Sequence, residues 1–218
     1  MNADMNNVLS SPAELLGDAH PLLEQLGSPE ELAAVSALPA PLAFARITDV
    51  PALHRFLEAY RAQILVPVEL PAIIAAHGHA ARGEVRELIA LDKQLAHEPV
   101  LRPFALASGR VGQRQLSKLR PMRDQRVVQR YLAALAEGRA RGWHTLVYGL
   151  SLAMFSLPLR QGLQNYAEQT MRGFLTGAAR PLHLTETESD ALLAECFSTI
   201  PATLGAVLET HSLLRVGL

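Results

Sequence analysis

The stretch that decides the fold is Trp143–Leu157, WHTLVYGLSLAMFSL, which is stopped by Pro158. Leu146, Val147, Tyr148, Leu150, Leu152, Ala153, Met154 and Phe155 leave no polar stripe on any side of a 3.6-residue helix. A helix apolar all round belongs at the centre of a bundle rather than on its surface. Gly149 and Ala153, four residues apart, would let a neighbouring backbone approach closely.

Helical patterns extend outward from this centre in both directions. Upstream, Asp49 is placed to cap a helix with Pro51 in its first turn and Leu53, Phe56, Leu57, Tyr60 and Ile64 on one face. A second helix is predicted over Glu69–Ala81, ending near Gly83, and a third over Glu84–Ala96. A fourth covers roughly Phe104–Leu119 and a fifth Asp124–Glu137, ended by Gly138. Downstream, Leu159–Ala179 forms a seventh helix. The last starts at a capping box of Thr185 and Glu188, runs to about Glu209 and is kinked at Pro201. Short helical pieces are also readable at Ser11–Gly17 and Ser28–Ala37, before an extended connector, LPAPLA. No alternating run of strand length appears, and Leu and Ala far outnumber the β-branched residues. The expectation is an all-α bundle of about eight to ten helices. A divergent N-terminal segment would span residues 1–47, the main domain 48–210 and a short tail 211–218.

The composition narrows the function classes. A chain of 218 residues can bury a sizeable core without disulfides or a structural metal. Its single cysteine, Cys196, excludes an internal disulfide and fits a reducing compartment. No apolar run is expected to approach the ~18 residues of a membrane span, and MNADMNNVLS lacks the features of a secretory signal. The cytoplasm is the expected location. Net charge is −1 but unevenly spread. Ten of the 20 Lys and Arg lie between Arg102 and Arg141, opposed there only by Asp124 and Glu137, whereas the first 58 residues carry eight acids against Arg46 and Arg55. Such asymmetry suggests complementary contacts, within the protein or between copies. Nucleic-acid binding is not expected, because Phe104 and Tyr131, the aromatics of the basic stretch, fit an apolar face.

Catalytic motifs are missing. Gly109 and Gly112 in SGRVGQ lack the Lys-Ser/Thr of a phosphate loop, and Ser151 in GLSLA sits inside an apolar helix. Cys196 reads as a small core residue. His77 and His79, two apart, point to different faces of a helix unless Gly78 breaks it. His144 reads as a helix-start residue and His211 as part of a tail. A helical enzyme built on His77, His79 and His144 is the competing reading.

The block Trp143–Leu193 resembles the urease accessory protein F family, UreF. The resemblance rests on Gly149 and Pro158 nine residues later, then Leu159, then Tyr166 seven further on. It continues through GAAR, ending on Arg180, and the turn Thr185–Glu188 before Leu192 and Leu193. Upstream, ELPAII, Gly83-Glu84, Leu91-Asp92 and the segment from Arg102 to Arg110-Val111-Gly112 are similar to family motifs in the same order, so the likeness covers about Thr48–Leu193. The C-terminal ETHSLLR, ending on Arg215, is similar to the family's short Arg-containing tail. Two departures stand out: LPAPLAFARITDV replaces the family's opening segment, and PFALAS replaces its Glu-rich charges.

The resemblance implies an all-α, non-enzymatic protein that forms a homodimer. It would bind a UreD/UreH-like accessory protein and a UreG-like GTPase and so assist nickel delivery to apo-urease. It implies no cofactor of its own, the nickel being handled by the complex, and no membrane or nucleic-acid partner. Arg102, Gly112, Tyr166, Arg180 and Arg215 are the positions it marks for partner binding, each of which also reads as an ordinary core, packing or solvated residue. A dimeric helical scaffold with partners unrelated to urease is the alternative.

Overall fold

The computed structural model describes residues 47, 49–179 and 182–216. Among these there is no strand. We number the helices α1 (Val50–Tyr60), α2 (Leu70–Ala81), α3 (Val85–Leu95), α4 (Ala105–Lys118), α5 (Arg126–Ala136), α6 (His144–Met154), α7 (Leu159–Ala179) and α8 (Glu186–Val216). A π-helical segment, Arg61–Glu69, joins α1 to α2, and a 3₁₀ segment, Pro99–Phe104, leads into α4. The all-α expectation is met. The rods number seven among the described residues, fewer than expected, because the first two predicted helices are one. The short pieces expected at Ser11–Gly17 and Ser28–Ala37 lie outside the described residues.

The fusion has a physical cause. Pro67 offers no N–H and its ring crowds the carbonyl four residues back, which argues for a break. The chain instead widens its coil, the Leu70 N–H reaching the carbonyl of Leu65 five residues back, and so passes the proline without stopping. The start is as expected: Asp49 Oδ1 accepts from Ala52 N at 2.7 Å. Gly83 (φ +71°) and Gly138 (φ +70°) supply the left-handed residues after α2 and α5. At the head of α8, Glu188 accepts from the Thr185 backbone N–H at 2.9 Å and Thr185 Oγ1 accepts from Glu188 N at 3.3 Å, the reciprocal capping box. The helix then continues through Pro201 and past Glu209 into the residues expected to form a tail.

At the centre is α6, where every residue from His144 to Leu152 is buried. Its closest neighbours are α2 and α4. Gly149 makes the α2 crossing possible: a Cβ there would lie 2.5 Å from the Ile73 carbonyl oxygen and 2.9 Å from Ala76 Cβ. On the α1–α7 side, the Phe174 ring meets Phe56 and Tyr60 edge-on at 5.0 and 4.9 Å between centroids, each pair contributing about 1 kcal/mol beyond its buried area. The outermost helix is α8, packed mainly on α7 and tied to α1 and the π segment by His54–Glu195 (2.9 Å) and Arg61–Thr199 (2.6 Å).

Candidate partner-binding faces and their buried support

Two buried polar clusters brace the bundle. The first is centred on Asp92 of α3, which is 2 % exposed. Its Oδ1 accepts from Arg141 N (2.7 Å), and its Oδ2 from Gly142 N (2.8 Å) and the Tyr131 hydroxyl (2.7 Å). Its backbone carbonyl accepts from Trp143 Nε1 at 3.1 Å. A buried carboxylate is tolerable only when donors surround it, and here two backbone amides and a phenol do so. Burial and the Asp92 charge together push the Tyr131 phenol well above its ordinary pKa, keeping it a donor. The cluster fixes the loop that delivers Trp143 and His144 to the start of α6. Gly112 of α4 lies against the same loop: a Cβ on it would sit 1.9 Å from the Gly142 carbonyl oxygen.

The second cluster runs through the core. His144 Nδ1 faces Ser108 Oγ at 2.8 Å, and its Nε2 faces the Tyr166 hydroxyl at 2.7 Å with Glu69 Oε1 3.8 Å away. The Tyr60 hydroxyl donates to Glu69 Oε2. Burial raises the phenols of Tyr60 and Tyr166 well above their usual range, and the Glu69 carboxylate adds to both shifts, so both stay protonated donors. A histidine, a carboxylate and two tyrosines form a set capable of proton transfer in principle. Glu69 and Tyr166 are each 1 % exposed, however, and neither groove described below is lined by any member of the set. Through these contacts the buried cluster ties α1, the π segment, α4, α6 and α7 to one another. His144 was legible as a helix start, but its partners Ser108, Tyr166 and Glu69 were not. Their only sequence signal was polar residues interrupting apolar faces.

His77 and His79 do not converge. His79 Nδ1 meets Glu84 at 2.8 Å, and Arg82 clamps the same carboxylate, holding it at about 2, well below the usual range. Among the described residues no group of three or more His, Cys, Asp and Glu could hold a metal ion. Cys196 is half-buried, and burial, aided by Glu195, raises its thiol pKa, which makes it a poor nucleophile.

Among the described residues, two grooves lie against α8. The smaller, about 110 Å³, is lined by His54, Glu58, Arg61, Glu195 and Cys196 among others. The larger, about 880 Å³, runs between the π segment and α8, with Val66, Pro67, Pro71, Ala202, Ala206 and Val207 on its walls. The α8 stretch Glu186–Thr210 is long and apolar enough to cross a membrane by length and composition, yet only 17 % of its most apolar window is buried. The helix Val50–Ala81 passes the same test but is 56 % buried, as expected of a core rod. Of the large apolar side chains of α8, Leu192, Leu193, Phe197, Val207 and Leu208 are half-buried against the core, and the exposed apolar residues that α8 gives to the larger groove are Ala202 and Ala206.

The positions singled out by sequence scatter rather than forming one site. Arg102 is exposed on the 3₁₀ segment. Gly112 and Tyr166 are interior, Gly112 beneath the Gly142 loop and Tyr166 in the His144 cluster. Arg215 falls on the last turn of α8, and Arg180 lies outside the described residues. Sequence reading missed the α8 groove, whose walls come from residues far apart in the chain, Val66, Pro67 and Pro71 on one side and Ala202, Ala206 and Val207 on the other.

The fold and its faces thus define a class: an all-helical protein whose buried polar groups are structural and whose exposed features suit binding to other proteins. A family model, UreF, matches residues 47–197, more than half of the chain, and the chain belongs to the UreF family of urease accessory proteins. A comparison with curated proteins finds no match.

Proposed function

We propose that this chain is a non-catalytic, cytoplasmic assembly factor. It bridges a UreD/UreH-type accessory protein and a UreG-type GTPase while nickel is inserted into apo-urease. Family membership supplies the urease accessory role. The observation that carries the bridging mode is the groove of about 880 Å³ along α8, with the exposed Ala202 and Ala206 on its wall. Helix-in-groove contacts with apolar anchors and a polar rim suit such a surface. Nickel is cargo of the assembly in this reading, not a resident of this chain.

The test is affinity capture of the tagged full chain from cells expressing urease, read by mass spectrometry. Recovery of a UreD-type protein together with a GTPase supports the reading. Recovery of neither, while urease is present and the tagged chain is folded, overturns it and leaves a helical scaffold with other clients.

A further inference from the structure

Four arginines, Arg120, Arg123, Arg126 and Arg130, lie in the turn between α4 and α5 and at the start of α5, and all four are exposed. One side chain keeps them together. Gln129 Nε2 donates to the carbonyls of Met122 at 3.1 Å and Arg120 at 3.3 Å, which pins the turn against the first turns of α5, where Arg126 and Arg130 also sit. Arg126 and Arg130 are four apart, so they neighbour one another on the helix. Among the described residues no carboxylate is bonded to any of the four guanidinium groups. The turn's own acid, Asp124, is exposed and leaves residues 120–130 with three positive charges uncompensated.

The arrangement works against the helix that carries it. Cations at the start of a helix meet the positive end of its macrodipole, and like charges four apart repel. α5 has no acid in its first turn and no side-chain cap from Gln125 to offset them. A bound carboxylate relieves both penalties, and an arginine can receive it through two parallel N–H···O bonds. The one aromatic of residues 105–142, Tyr131, is 0 % exposed, so nucleic-acid bases have nothing here to stack on. Beside the arginines Pro121 is exposed and Met122 half-buried, and arginine and methionine are enriched where proteins meet. We infer that this turn docks an acidic protein segment, one with several carboxylates close together, on Arg120, Arg123, Arg126 and Arg130. None of the four lines the α8 grooves, so this is a second contact, separate from the one at α8. It does not depend on urease being the client.

The probe is a fluorescein-labelled peptide of alternating Glu and Ser, titrated with the full chain and read by anisotropy at about 0.15 M salt, where exposed charges more than ~8 Å apart are largely screened. The pair Arg126→Glu, Arg130→Glu should weaken binding at least about tenfold, and Arg126→Gln, Arg130→Gln should fall between that pair and the parent. The same change of net charge on α1 and α7, Arg55→Glu with Arg160→Glu, both exposed, should alter binding by less than about twofold. Thermal melting checks the fold: reversing charge at the positive end of α5 should leave Tm at or above the parent's. An equal loss in the α1 and α7 pair would make binding a matter of net charge and overturn the site. Oligouridylate bound more tightly than the peptide by the same arginines would make the turn a nucleic-acid face and overturn the protein partner. No binding of the peptide overturns the inference as well.

Discussion

Gly112 and Gly142 approach so closely that a methyl group on residue 112 would sit 1.9 Å from the Gly142 carbonyl oxygen and 2.9 Å from the His144 amide nitrogen. Both contacts are with backbone, which cannot rotate aside. Gly112→Ala should therefore destabilise by at least about 2 kcal/mol, lowering Tm by roughly 5 °C or more. Gly149→Ala, against the Ile73 carbonyl, should act in the same sense. Gly205→Ala on α8, with nothing within 4 Å, should be neutral or mildly stabilising. Differential scanning calorimetry on the three variants checks the order.

Asp92 satisfies two backbone amides, the part-buried one of Arg141 and the buried one of Gly142. Asp92→Ala should lower the urea midpoint by the equivalent of about 2–5 kcal/mol with an unchanged m-value. Trp143, whose indole donates to the Asp92 carbonyl, should report the loosened loop by a red-shifted emission. A midpoint unchanged from the parent would mean the loop is held without it.

Glu84 offers a pH test with a definite sign. Its carboxyl is held at about 2 by Arg82 and His79, below the ordinary 4.5. A depressed folded-state pKa stabilises above the unfolded value, and that contribution fades as pH falls from about 4.5 toward about 2. NMR titration should find the Glu84 carboxyl the more acidic, and Arg82→Ala should move it back toward the usual range. A Glu84 titration that ignores Arg82→Ala would show the clamp to be absent in solution.

The α8 groove predicts a separation of stability from function. Ala202→Arg and Ala206→Arg place bulk on residues that are exposed in the monomer and line the larger groove. Tm should stay within about 2 °C of the parent, since surface changes rarely exceed ±0.5 kcal/mol. Recovery of partner proteins and urease activation in cells should fall tenfold or more if the groove seats a partner's side chains.

Much of the architecture could be read from residues alone because the informative features were local. The all-round apolar character of Leu146–Leu152, the Asp49 cap and the Thr185–Glu188 box each need only a few neighbouring positions, and each appears in the structure. The joining of α1 to α2 was not legible, because whether the coil can widen past Pro67 is decided by what packs on either side. The Asp92 and His144 clusters were illegible for another reason: the partners of Asp92 lie 39 to 51 residues away in the chain, and those of His144 at least 22. The α8 groove was missed because it exists only where α8 meets the π segment, more than a hundred residues earlier in the chain.

The central position of α6 also has a consequence during synthesis. α2 and α4 precede it in the chain, while Leu163, Tyr166 and Phe174, which complete the core, follow it. A nascent chain that has emerged only as far as Pro158 therefore carries a helix with no outward side while part of its cover is still inside the ribosome. Between the emergence of α6 and that of α7 the helix is adhesive.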